Sequence, residues 1–173
     1  MPIRHIVRGL IDGSLASLGV VLGAAVSGDP KIIMAAGLGG SMANALSNVV
    51  GALTAERADV MKKLSKYEKA MVGSEVDLKR TKIYEKEKQK ILRAGLLDGV
   101  STFAGAVVPI IPFAVLNLQS AALASTFVTI SLLFCLGTYV GKLSKENLII
   151  AGSKMALFGV LAAILASSLE HLF

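Results

Sequence analysis

The chain has 173 residues, 54% of them hydrophobic, with a formal net charge of +6 and a mean hydropathy of +0.68. A soluble globule of this size needs a polar coat, and this composition does not supply one. Charge is also segregated: residues 56–93 hold twelve of the eighteen Lys and Arg residues and seven of the twelve acids, so the flanking stretches are almost uncharged. A bilayer imposes such a pattern. The basic balance raises the question of nucleic acid, but the cations border apolar runs and no aromatic stacking platform accompanies them, so no nucleic-acid partner is expected. A membrane surface accounts for them better. Cys135 is the only cysteine, which excludes an intrachain disulfide and a cysteine-based metal site.

Five runs are long enough, at 1.5 Å per residue, to cross a hydrocarbon core of roughly 30 Å. They are Ile6–Val26, Ile32–Ala55, Leu92–Val115, Ala121–Val140 and Leu148–Leu169. The expected fold is therefore all-α: a five-helix membrane bundle with a short charged insertion. Its divisions are residues 1–55 (spans one and two), 56–91 (the cytoplasmic charged segment) and 92–173 (spans three to five). Arg4 and Arg8 ahead of the first apolar run imitate a signal peptide. Asp12 within that run, and the lack of a cleavage pattern, point instead to a retained span. The breaks fall at Ser27-Gly28-Asp29-Pro30, Asn117-Leu118-Gln119-Ser120 and Lys142-Leu143-Ser144-Lys145-Glu146-Asn147. With the N-terminus in the cytoplasm, Arg4, Arg8, the insertion's twelve cations, Lys142, Lys145 and Lys154 lie inside, and Lys31 alone lies outside. The positive-inside bias thus places the C-terminus on the external or lumenal side.

Within the insertion, Val60, Leu64, Tyr67 and Met71 recur at helical spacing, so residues 56–71 read as an amphipathic continuation of the second span. Gly73 is expected to end it, and Ser74 with Asp77 to open a helix that runs on through Ile83 and Tyr84 toward the third span. An internal repeat accompanies these elements. Gly9-Leu10-Ile11-Asp12-Gly13 and Gly95-Leu96-Leu97-Asp98-Gly99 match at an offset of 86 residues, as do Gly19 with Gly105 and Gly51 with Gly137. Both copies begin on the same side, so the repeat is parallel and relates spans one and two to three and four, a common basis for a transport pathway.

Asp12 is the most informative residue. A carboxylate inside a span costs several kcal/mol unless it is paired, hydrated or protonated, and those retained there most often line an ion path. Asp98 repeats the arrangement, and for both acids a wet position near the interface, or an ion pair with Arg8 or Arg93, is the structural alternative. Gly9/Gly13, Gly19/Gly23, Gly95/Gly99 and Gly37, Gly39 and Gly40 provide small faces for close helix packing. The second span carries Ser41, Met42, Asn44, Ser47 and Asn48, with 41, 44 and 48 on one face. Amide and hydroxyl oxygens replace part of a cation's hydration shell and a thioether suits softer metals, whereas interhelical hydrogen bonding explains the same stripe structurally. Pro109 and Pro112 in the third span each remove a backbone donor, leaving a broken helix or a packing kink as the alternatives. The acids of the insertion are interleaved with lysines, the pattern of a solvated face. No nucleophile–base pair, phosphate loop, HExxH or CxxC occurs, and no enzyme is expected.

Taken together, these residues resemble the vacuolar iron transporter family. Asp12-Gly13 is similar to that family's Asp-Gly pair early in the first span. Ala45-Leu46-Ser47 through Leu53-Thr54-Ala55-Glu56-Arg57-Ala58-Asp59 is similar to the end of its second span. Gly105-Ala106-Val107-Val108-Pro109-Ile110-Ile111-Pro112 resembles its two-proline segment. Gly40 stands where the family usually has a glutamate and Asn48 where it has a methionine, and the insertion is shorter than the family's metal-binding domain. The resemblance implies a homodimer with its pathway between the two first spans, carrying Fe2+ or Mn2+ in exchange for protons. Asp12 would be the transport carboxylate and a metal ligand. The expected roles are then Asn44 and Asn48 as neutral ligands, Asp98 as a second acid, Met42 as a thioether, and Glu56 and Asp59 capturing metal at the entrance. No cofactor is expected to remain bound. Small size and bare termini suit a prokaryotic cytoplasmic membrane, or a vacuolar type in a eukaryote. A non-transporting membrane module and a passive cation channel are the alternatives.

Overall fold

The structure is a computed structural model describing residues 2–70 and 82–170. Among these residues every regular element is helical: α1 (Pro2–Ala24), a 3-10 turn (Ala25–Ser27), α2 (Pro30–Ala70), α3 (Lys82–Val115), α4 (Leu118–Ser144) and α5 (Leu148–Glu170). All five α-helices contain a stretch long and apolar enough to cross a membrane.

The boundaries follow local chemistry. Gly28 adopts φ +67°, closing the 3-10 turn. Asp29 Oδ1 then accepts from the Lys31 amide at 2.8 Å, and Pro30 occupies the first turn of α2, where its missing N–H costs nothing. The second break is tighter than expected. Helix α4 starts at Leu118, with Asn117 extended and its carbonyl accepting from Ala121 N at 2.8 Å. At the third break Lys145 takes the left-handed conformation, and Asn147 Oδ1 accepts from Ile149 N at 3.0 Å to begin α5.

Helix α2 runs unbroken from its membrane-length stretch into the charged segment, as the Val60–Leu64 spacing requires. There Val60 and Leu64 are buried against Tyr84 and Ile91 at the start of α3. Gly73 and the Ser74/Asp77 pair lie outside the described residues. Helix α3 continues through both prolines to Val115. Of the two alternatives, the broken helix is therefore not found. Ser125 Oγ of α4 donates to the Pro109 carbonyl at 2.7 Å, tying the two helices beside the prolines.

Helix α1 is central, packing most extensively on α3 and also touching α2, α4 and α5; α2 lies along α3, and α4 pairs with α5. Leu18, Leu22 and Ala166 join α1 to α5, while Val21, Ile33, Ile110, Phe113 and Ala121 close the end opposite the charged segment. The repeat is visible as packing. The α1 copy faces α3 through Gly9 and Gly13, and the α3 copy faces α2 through Gly95 and Gly99. A Cβ on Gly13 would strike the Thr102 carbonyl, which is backbone and has no freedom to swing away. Gly13→Ala is expected to destabilise by roughly 1–3 kcal/mol through overpacking. A Cβ on Gly19 would meet nothing within 4 Å among the described residues beyond its own turn of helix, so Gly19→Ala should change stability by no more than about 0.5 kcal/mol. Unfolding midpoints followed by circular dichroism in detergent compare the two.

Candidate functional site: a carboxylate held by two amides

Asp12 lies nine residues beyond Ile3, where the apolar stretch of α1 starts, or about 14 Å along the axis at 1.5 Å per residue. That stretch has 25 residues, so the carboxylate sits a little over a third of the way along it, four residues past Arg8. Helices α1 and α2 are antiparallel, which brings residues 44 and 48, one turn apart on α2, alongside residue 12. Asn44 Nδ2 donates to Asp12 Oδ2 at 2.9 Å and Asn48 Nδ2 to the same oxygen at 2.6 Å. Asn48 Nδ2 also donates to Thr102 Oγ1 at 2.9 Å, and Thr102 Oγ1 donates to the Asp98 carbonyl at 2.7 Å. The chain of bonds thus spans α1, α2 and α3. Among the described residues no side chain donates to Asp12 Oδ1, and Asp12 is only partly buried.

Asp98 has a different fate. Its side chain is completely buried and ion-paired with Arg8, whose Nη2 contacts Oδ2 and whose Nε donates to Oδ1 at 3.3 Å. The two repeat acids therefore take unlike partners, an arginine for Asp98 and two amides for Asp12. One turn or so nearer the α1 start, Glu56 Oε1 accepts from Arg4 Nη2 at 2.9 Å and lies 3.1 Å from His5 Nε2. His5 is buried, and its Nδ1 has no partner among the described residues.

Of the residues singled out from the sequence, Asp12, Asn44 and Asn48 come together. Met42 is 59% exposed on the outer face of α2, which it shares with Leu38 and Leu46, and it does not meet them. Ser41 is buried and donates to the Gly37 carbonyl, and Ser47 is exposed. Asp59 is exposed and stands apart from the Glu56 cluster. Among the described residues no three His, Cys, Asp or Glu side chains converge as a metal site within one copy.

Thr102 and His5 were not foreseen. Thr102 is four residues after Asp98, hence on the same face of α3, which is the one signal that could have drawn attention to it. His5 could have been reached only through the antiparallel pairing of α1 with α2, which brings residue 5 level with residue 56.

The open side of Asp12 continues along α1. Ala16 is exposed, and a Cβ on Gly19 or Gly23 would meet nothing of the described residues on other helices within 4 Å, so a stripe of small residues leads away from the carboxylate. The adjoining outer face of α2 shows Met42, Leu46 and Val50 at 59–66% exposure, as lipid or another protein surface would permit.

Comparison with known proteins agrees with this architecture. The chain is 45% identical over 170 residues to an uncharacterized protein of Methanocaldococcus jannaschii, covering 98% of this chain and 89% of that one. A family model described as the VIT family matches residues 50–170, from the middle of α2 to the end of α5. With five membrane-length helices, an embedded carboxylate and this match, the chain is an integral membrane protein that belongs to the VIT family, the vacuolar iron transporters, a membership that points to metal-ion transport across a membrane.

Proposed function

We propose that two copies of this chain carry Fe2+ or Mn2+ across the membrane, out of the cytoplasm and in exchange for protons, with the N-terminus cytoplasmic. The observation that carries this reading is Asp12: a carboxylate within a membrane-length helix, held on one oxygen by two neutral amides and, among the described residues, on neither by a cation. A structural clamp would take an arginine, as Asp98 does. An ion site keeps an acceptor for its cargo.

The chemistry follows from the donors. Hard divalent ions favour carboxylate and carbonyl oxygens, and Mn2+ fits octahedral oxygen sites. Asn44 and Asn48 present their nitrogens to Asp12; rotating each amide would turn its oxygen toward a cation instead. One copy supplies at most three side-chain groups, so the site is incomplete alone. A second copy packed along Ala16, Gly19 and Gly23 would bring a second Asp12 and a second pair of amides, because small residues let membrane helices approach closely. Met42 lies on the neighbouring outer face and would reach such a pathway only across the contact between copies. Glu56 and Asp59 would take metal from the cytoplasm, Glu56 after leaving Arg4 and His5. Protonation of Asp12 competes with the metal for the same lone pairs, which is how a proton gradient would drive release. Asp98 acts in this scheme as the clamp that holds α1 against α3.

Liposomes containing the purified protein and an Fe2+- or Mn2+-sensitive dye test the reading. Saturable metal entry is expected, and collapsing an imposed pH gradient should slow it. Entry indifferent to the gradient would leave a passive channel; no entry with either metal would leave a non-transporting membrane module.

A further inference from the structure

At the end of the bundle that carries the N-terminus, the first turns of α1 and the last turns of α4 stand apart and leave a groove of about 470 Å³. That lies within the roughly 300–1,000 Å³ that typically hold small organic ligands. Its floor is apolar, formed by Val7 and Ile11 of α1 and Val140 and Leu143 of α4. Its rim is not. Arg4, Arg8 and Ser144 also line it, and the Arg4 and Arg8 side chains are 69% and 53% exposed. Each guanidinium has five N–H donors, and Glu56 and Asp98 take up only some of them. Exposed Lys142 and Lys145 flank Leu143 and Ser144 on the α4 side, with exposed Glu146 the opposing charge there.

We propose that this groove binds one membrane lipid with an anionic phosphate headgroup. An acyl chain lies against Val7, Ile11, Val140 and Leu143, and the phosphate takes donors from Arg4, Arg8 and the Ser144 hydroxyl. Charge complementarity and position select this occupant. The slot runs beside apolar helix turns, so it opens toward hydrocarbon, and its cations gather where α1 begins and α4 ends, at the level of headgroups. A planar guanidinium matches phosphate oxygens bidentately. Near an anionic surface each added cation strengthens binding about fivefold, so two partly engaged arginines should favour anionic over zwitterionic lipid by about tenfold or more. The inference does not depend on the transport reading.

Native mass spectrometry on protein extracted from bilayers of phosphatidylglycerol and phosphatidylcholine with identical chains tests it. Retention of one phosphatidylglycerol per chain is expected, with about tenfold preference. Leu143→Trp and Ser144→Trp each fill the slot from an exposed position, so both variants should fold, run as wild type on size exclusion and lose the lipid. Arg4→Gln should keep a lipid and lose most of the preference. Glycerol phosphate, which has no acyl chain, should not displace it. Equal retention of both lipids would overturn the proposal, as would unchanged retention in both Trp variants, displacement by glycerol phosphate, or binding confined to monomers because a second copy closes the groove.

Discussion

Asp12→Asn is expected to abolish metal transport while leaving the bundle intact. The substitution changes charge but hardly shape, and its amide oxygen still accepts from Asn44 and Asn48, which donate to Asp12 Oδ2 at 2.9 and 2.6 Å. Helix packing is preserved for the same reason: Gly13, the neighbouring contact point with α3, is untouched. What disappears is the negative charge that draws a divalent ion into a low-dielectric site. A loss of about 3 kcal/mol in ion stabilisation corresponds to a transport rate lower by about a hundredfold. Liposome uptake normalised to folded protein reads it directly, with unfolding midpoint as the control. Wild-type uptake in the variant would remove Asp12 from the pathway. Asp12→Ala should behave differently, because it also strands two amide donors, and an unsatisfied buried donor costs about 1–3 kcal/mol. The ordering is therefore specific: both variants lose transport, and only the alanine loses stability.

The sequence displayed the architecture because a membrane writes its constraints over whole segments. Apolar runs separated by Asp29-Pro30 and Asn147 gave the five helices to within a few residues, and the 86-residue offset foretold the parallel arrangement of α1 and α3. Asp12 was legible for the same reason: a carboxylate in such a run stands out against its surroundings. The partners were harder. Met42 and Asn44 are two residues apart and looked equally available, but two residues on a helix subtend about 200°, and only one of them can face α1. Asp12 and Asp98 looked equivalent in their shared Gly-Leu-X-Asp-Gly context, and the structure separates them. The difference comes from what stands opposite: α2 lies along α3 and brings Asn48 and Thr102 together, and Arg8, one turn before Asp12, reaches across to Asp98 rather than along its own helix. Local repeats encode equal backbones; the neighbouring helices decide the chemistry.

That asymmetry sets the last expectation. Arg8→Gln leaves the Asp98 carboxylate fully buried without its countercharge, and breaking a buried pair in this way costs roughly 3–5 kcal/mol. Asp98→Asn is the milder change, about 1 kcal/mol, because Arg8 is half exposed and its freed guanidinium can turn to water. The double variant should be no worse than Arg8→Gln alone, because no unpaired carboxylate is left buried, and so better than the sum of the two by at least 1 kcal/mol, the signature of groups in direct contact. Unfolding in detergent with increasing denaturant measures all three. Metal uptake per folded molecule should stay within about threefold of wild type in Asp98→Asn, a change worth less than 1 kcal/mol. If Asp98→Asn instead stops uptake without loss of stability, Asp98 joins the pathway. If Asp12→Asn and Arg8→Gln destabilise equally, Asp12 is itself a clamp, and the chain is a membrane module that holds helices together rather than one that moves ions.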